Sequence, residues 1–103
     1  MKILKDYRDT PIRLTDERIA HVMEHPEMAH MRQGIEETLK YPEQVLSSSI
    51  DDKAFLYYRY YENTVVGAKY LCLVIKESET GAFLLTAYLT DKMKKGKIIW
   101  KRK

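Results

Sequence analysis

Cysteine is almost absent. Cys72 is the only one in 103 residues, so no internal disulfide can form. It sits inside an apolar run, Tyr70 to Ile75, and reads as a small buried hydrophobe rather than an activated thiolate. That run is the longest apolar one, and it is strand-sized, far short of the ~18 residues of a membrane span. The opening Met1-Lys2-Ile3-Leu4-Lys5-Asp6 lacks the apolar core of a signal peptide. These absences together predict a cytoplasmic protein without membrane contact. Glycine is scarce as well. The four glycines are scattered, which leaves no phosphate-cradling loop and no Gly-x-Ser-x-Gly nucleophile turn.

Acidic residues are missing from one stretch. Lys92 to Lys103 holds seven of the 18 basic residues and no acid, whereas the other 91 residues carry 11 basic and 15 acidic side chains, a net −4. A basic tail of this kind (92–103) attracts phosphate without any shaped pocket, and it also serves simply as a solvated terminus. Hydrophobic residues at 45% against 32% charged predict a folded chain, and the length fits one domain, 1–103.

Two helices are expected early. Thr15 is placed as an N-cap with Asp16 and Glu17 in the first turn, and Ile19, Val22 and Met23 form an apolar stripe to about Glu24. Pro26 ends that helix and suits the first turn of the next, where Met28, Met31, Ile35 and Leu39 share one face to about Lys40. Gly34 inside it costs about 1 kcal/mol relative to alanine.

After Pro42 the apolar period changes to that of strands. Gln44 to Ser48 reads as a short edge strand, Phe55 to Tyr61 as an aromatic strand, and Lys69 to Lys76 and Ala82 to Thr90 as strong strands about a turn at Ser78 to Gly81. Ile98-Ile99-Trp100 adds a final short one, and the lead-in Ile3 to Leu14 has room for another. The expected class is α+β: two N-terminal helices packed on one face of an antiparallel four- to five-stranded sheet. Alternation puts Phe83, Leu85, Ala87 and Leu89 toward the helices and Leu84, Thr86, Tyr88 and Thr90 on the open face. Arg59, in mid-strand among tyrosines, suggests a partner on the open face.

Three chemistries can be weighed. His21 and His25 stand at i and i+4, as two metal ligands would, but Val22 occupies the position that the metalloprotease pattern gives to glutamate, and no further ligands complete a set. No metal or cofactor is expected. Nucleophilic hydrolysis lacks its motif. Metal-free RNA cleavage needs less: a base, an acid and a cation for the crowded phosphate, since RNA brings its own 2′-hydroxyl nucleophile. His21 would be the acid–base group, Arg59 and Lys69 the phosphate cations, and Thr86 and Tyr88 hydrogen-bond donors. Tyr58 would stack on a base, and Lys92, Lys94, Lys95 and Lys97 would hold the backbone. Each also has a plainer role: His21 as a surface histidine, Arg59 paired with Glu62 or Glu77, Lys69 beginning its strand, and the tyrosines as ordinary sheet aromatics.

The segments RLTDERIAHVMEHPEM (13–28), TLKYPEQVL (38–46), LYYRYY (56–61), KYLCLVIK (69–76) and FLLTAYLTDKMKKGKIIWKRK (83–103) together resemble a family of small phage- and mobile-element-associated domains. These are assigned to the barnase–EndoU–colicin–RelE superfamily of metal-independent ribonucleases. The resemblance runs from about Ile12 to Trp100. It is most specific at the helical histidine followed by His-Pro-Glu, and at the Leu-Thr-Ala-Tyr-Leu-Thr-Asp strand leading to a Lys-Gly segment. It implies a toxin-like ribonuclease with its histidine at His21, its strand cation at Arg59 or Lys69 and its hydroxyl at Thr86. His25 remains an alternative to His21. The partners expected are RNA and a cognate inhibitor protein, and the oligomeric state stays open. The same residues would also serve a non-catalytic RNA-binding or protein-interaction module.

Overall fold

In the computed structural model, which describes all 103 residues, two short strands precede the helices. β1 (Lys2–Lys5) and β2 (Pro11–Leu14) pair as a hairpin, with Lys2 opposite Leu14 and Lys5 opposite Pro11. Asp6 organises the connection, because its carboxylate accepts the N–H groups of Arg8 (2.9 Å) and Thr10 (3.0 Å). A carboxylate that is only 2% exposed needs further donors, and Tyr57 Oη supplies one at 2.6 Å.

α1 (Asp16–Met23) starts as its sequence dictates, with the Arg18 N–H donating to Thr15 Oγ1 at 3.2 Å. The second helix is shorter than its apolar spacing suggests. Pro26–Met28 forms only a 3₁₀ turn, and α2 (Arg32–Lys40) begins after it. His30 separates the two with φ of 67°, a left-handed residue that no continuous helix contains. Met28, Met31, Ile35 and Leu39 are all buried nonetheless, so the periodicity marks a buried face across a broken helix. Gly34 lies where α2 meets the sheet. A Cβ there would stand 3.1 Å from Met31 Cε and 3.4 Å from Leu71 and Tyr61, so glycine's helical penalty permits a close approach.

The remaining strands are β3 (Gln44–Ser48), β4 (Ala54–Thr64), β5 (Gly67–Ser78), β6 (Gly81–Thr90) and β7 (Gly96–Lys101). All seven form one sheet in the order β1-β2-β6-β5-β4-β3-β7. The expectation of two helices on an antiparallel four- to five-stranded sheet is therefore corrected. The fold is mixed α+β, with seven strands and two helices of 8 and 9 residues, and β2 runs parallel to β6. The extra strands come from the lead-in, whose four-residue pieces are too short to display an alternation. β3 is not an edge either, because β7 covers its outer side. The true edges are β1 and β7, both bearing lysines that discourage pairing with another chain.

The helices cover one sheet face, and the main core lies between them. Ile12, Val22, Ile35, Leu39, Leu71 and Leu84 are wholly buried there, each worth about 1.5–3 kcal/mol relative to exposure. On β6 the expected facing is half wrong. The β5–β6 register shifts so that Val74 pairs with Thr86 and Ile75 with Leu84, which leaves Leu85 as a bulge. Leu84 enters the core and Leu85 turns to the opposite face, whereas Ala87 and Thr86 lie as expected.

Candidate nucleic-acid interface

The face away from the helices is built from three strands in register. Across β4, β5 and β6 the rows are Leu56–Val74–Thr86, Tyr58–Cys72–Tyr88 and Tyr60–Tyr70–Thr90. The first two rows contribute to a second, smaller apolar cluster of Leu46, Leu56, Tyr58 and Cys72, with Tyr70, Val74, Tyr88 and Met93 packed against it. Met93 belongs to the connection between β6 and β7, which folds back over this face. Lys94 fixes it there, its N–H donating to Tyr58 Oη at 2.9 Å and its Nζ lying 5.5 Å from the centre of the Tyr88 ring. Gly96 is required for that fold. A Cβ at this position would come within 2.4 Å of the Ser47 carbonyl oxygen, so only glycine lets β7 enter the sheet beside β3.

The basic connection thus delivers cations onto an aromatic sheet face. Lys94 and Lys95 are exposed, and neither has a carboxylate partner; the nearby Asp51 is engaged by Lys76, whose ammonium holds its carboxyl below the usual range. Between them and the sheet runs a cleft of about 460 Å³ with Leu56, Val74 and Leu85 on its floor. A larger hollow of about 680 Å³ runs along the solvent side of α2, but charged residues of both signs line it and Tyr41 is its one apolar member. Farther along the open face the exposed Tyr60 and the half-buried Tyr70 meet edge-on at 5.0 Å.

The residues expected to form a site fall into three places. Thr86 and Tyr88 are on the open face, joined there by Lys94 and Lys95. Arg59 is on the helix side, against expectation. Its Nε stands 3.3 Å from Glu37 Oε1 and its Nη1 donates to the Tyr41 carbonyl at 2.7 Å, so it ties α2 to β4. Lys69 lies opposite Tyr61 on that same side and pairs with Asp91 at 2.5 Å. His21 is on the solvent side of α1, 3.7 Å from Glu24 and with its ring 6.1 Å from that of His25, which itself approaches Glu27. No group of three His, Cys, Asp or Glu side chains is gathered as a metal site. Lys92 is exposed in the connection, and Lys97 is exposed on β7 opposite Ser47.

Burial alters two of the expected roles. Tyr58 is wholly buried and offers no ring to a base; it anchors Lys94 instead. The Tyr88 hydroxyl is also shielded from solvent, so this side chain presents its ring under Lys94 rather than a donor to a phosphate. Burial pushes the Tyr58 phenol up to about 12 and raises Tyr88 as well, with Cys72 adding to the latter, so both stay protonated at neutral pH. Cys72 is fully buried with its thiol raised by burial, which removes it as a nucleophile. Tyr60 was among the tyrosines expected either to stack on bases or to be plain sheet aromatics, Tyr70 was given no role, and Leu85 was expected toward the helices. The bulge that exposes Leu85 left no sign.

No family model, no curated protein and no solved structure matches the chain. No helix is long and apolar enough to cross a membrane.

Proposed function

We propose that this domain acts on single-stranded RNA, bound across the open sheet face, as a metal-independent ribonuclease of the toxin type. The observation that supports binding is the pairing of unpartnered Lys94 and Lys95 with an aromatic and apolar sheet face. Phosphates take the ammonium groups, and unpaired bases take Tyr60 and Tyr70, the arrangement that suits single strands better than a duplex. The resemblance to the barnase–EndoU–colicin–RelE superfamily supports the cleavage half. In that reaction the 2′-oxygen bonds to the adjacent phosphorus and the bond to the 5′ oxygen breaks. A proton leaves the first oxygen and another reaches the second. On this face Lys94 would steady the extra phosphate charge and Thr86 would donate a hydrogen bond. A cytoplasmic setting, phage or mobile-element origin and a cognate inhibitor belong to the same proposal.

Binding without cleavage is the second reading, and one observation favours it. The open face offers no histidine as a base, because His21 sits on α1, and Asp51 at its cleft is held by Lys76. A missing base forfeits about 10²–10⁴ in rate. The test is a gel assay of cellular RNA in excess chelator with the wild type, His21→Ala, Thr86→Val and Lys94→Ala. Cleavage that persists in chelator and is lost in Lys94→Ala supports the first reading. Retained but intact RNA supports the second, and loss of cleavage only in His21→Ala would move the chemistry to α1.

A further inference from the structure

The cleft beneath Lys94 and Lys95 is a shaped feature of the fold. Two independent devices make it. The β6 bulge turns Leu85 out of the core and onto the cleft floor beside Leu56 and Val74. Gly96 lets β7 close against Ser47, which sets the preceding lysines at the rim. The Lys94 backbone is pinned to Tyr58, so its position does not depend on a free loop. A floor of aliphatic side chains, a rim of two ammonium groups and the Ser48 and Ser49 margin follow the usual pattern of a small-molecule site, mostly apolar with a few convergent polar groups.

Charge decides the occupant. Asp51 is the one carboxylate at the cleft and it is neutralised by Lys76, so Lys94 and Lys95 carry uncompensated positive charge into it. An apolar peptide side chain would cover both ammonium groups without a counter-charge, an unfavourable burial. A nucleotide meets both demands, with a planar base for the floor and a phosphate for the rim. Resting on the proposed RNA-directed role, we infer that this cleft is a subsite for one nucleotide of the bound strand, its base on Leu56, Val74 and Leu85 and its phosphate on Lys94 and Lys95. The subsite gives the face a fixed register, because one base is enclosed while its neighbours reach the open tyrosines.

The experiment is a methyl-resonance titration of the intact protein with each of the four ribonucleoside 5′-monophosphates, with the matching nucleosides and inorganic phosphate as separate probes. At least one mononucleotide shifts the methyl signals of Leu56, Val74 and Leu85. The nucleoside and phosphate alone bind at least tenfold more weakly. Leu85→Asp weakens the mononucleotide at least tenfold, and Lys95→Glu, an exposed substitution that leaves the core untouched, does the same. Unmoved cleft methyls with RNA still retained by the open face would overturn the subsite and leave the RNA reading standing. Equal shifts from nucleoside and nucleotide would also overturn it, by removing the phosphate contact. Failure of every RNA and every mononucleotide to bind would overturn both.

Discussion

Gly96→Ala is the most informative single perturbation of the open face. The new Cβ would stand 2.4 Å from the Ser47 carbonyl oxygen, which belongs to the backbone of a neighbouring strand and cannot swing aside. Ordinary contact begins near 3.4 Å, so β7 must retreat by about 1 Å or lose its pairing beside Ser47 and Ser48. Overpacking of this kind costs about 1–3 kcal/mol. The displacement falls on the residues that follow Lys94 and Lys95, so RNA affinity drops together with stability. Urea unfolding gives the first quantity and fluorescence titration with a labelled single-stranded RNA gives the second. Stability within about 0.5 kcal/mol of wild type, with unchanged RNA affinity, would refute the idea that Gly96 sets the position of the lysines.

Further outcomes follow from buried groups. Tyr57→Phe removes the 2.6 Å hydrogen bond to the buried Asp6 carboxylate and costs about 1.5–3 kcal/mol by urea unfolding; a change below about 0.5 kcal/mol would show that Asp6 is served by its other donors. Alkaline pH destabilises the fold. The phenols of Tyr58 and Tyr61 are held up to about 12 by burial against an ordinary 10.0, so the unfolded chain ionises them first. Their contribution is complete below pH 10 and is lost as pH rises toward 12, read as a falling Tm; a flat Tm to pH 12 would contradict it. Cys72 reacts with a thiol reagent only after unfolding, because it is fully buried and its thiol is raised; prompt reaction of the native protein would contradict that.

The central strands were legible because apolar and aromatic residues dominate six to eight positions at their centres, as in Ala54–Tyr61 and Tyr70–Ile75. The same signal does not accumulate over four residues, which is why β1 and β2 were not separable from a loop. Single-residue events were invisible too. The left-handed His30 shortens the second helix, and the bulge at Leu85 reverses the facing of half a strand. Arg59 illustrates a third limit. Glu62 and Glu77 were the candidate partners, but the fold supplies Glu37, 22 residues earlier, from a helix packed over the strand. Of the expected site, the basic run and the hydroxyl-bearing strand come together because a short connection joins them. His21, Arg59 and Lys69 belong to other surfaces. Tyr58 was expected to stack on a base because the run FLYYRYY shows no alternation that would separate a buried tyrosine from an exposed one; a strand covered on both faces loses that alternation.

The central claim is that the open face, through Lys94 and Lys95, engages RNA. Its most direct test is the salt dependence of single-stranded RNA binding by wild type and by Lys94→Glu/Lys95→Glu. Retention by the wild type weakens steeply with salt. The double variant loses most of its affinity, and its log–log slope is smaller in magnitude by about 1.4, two phosphate contacts at about 0.7 each. Equal affinity and equal slope in the two proteins would contradict it.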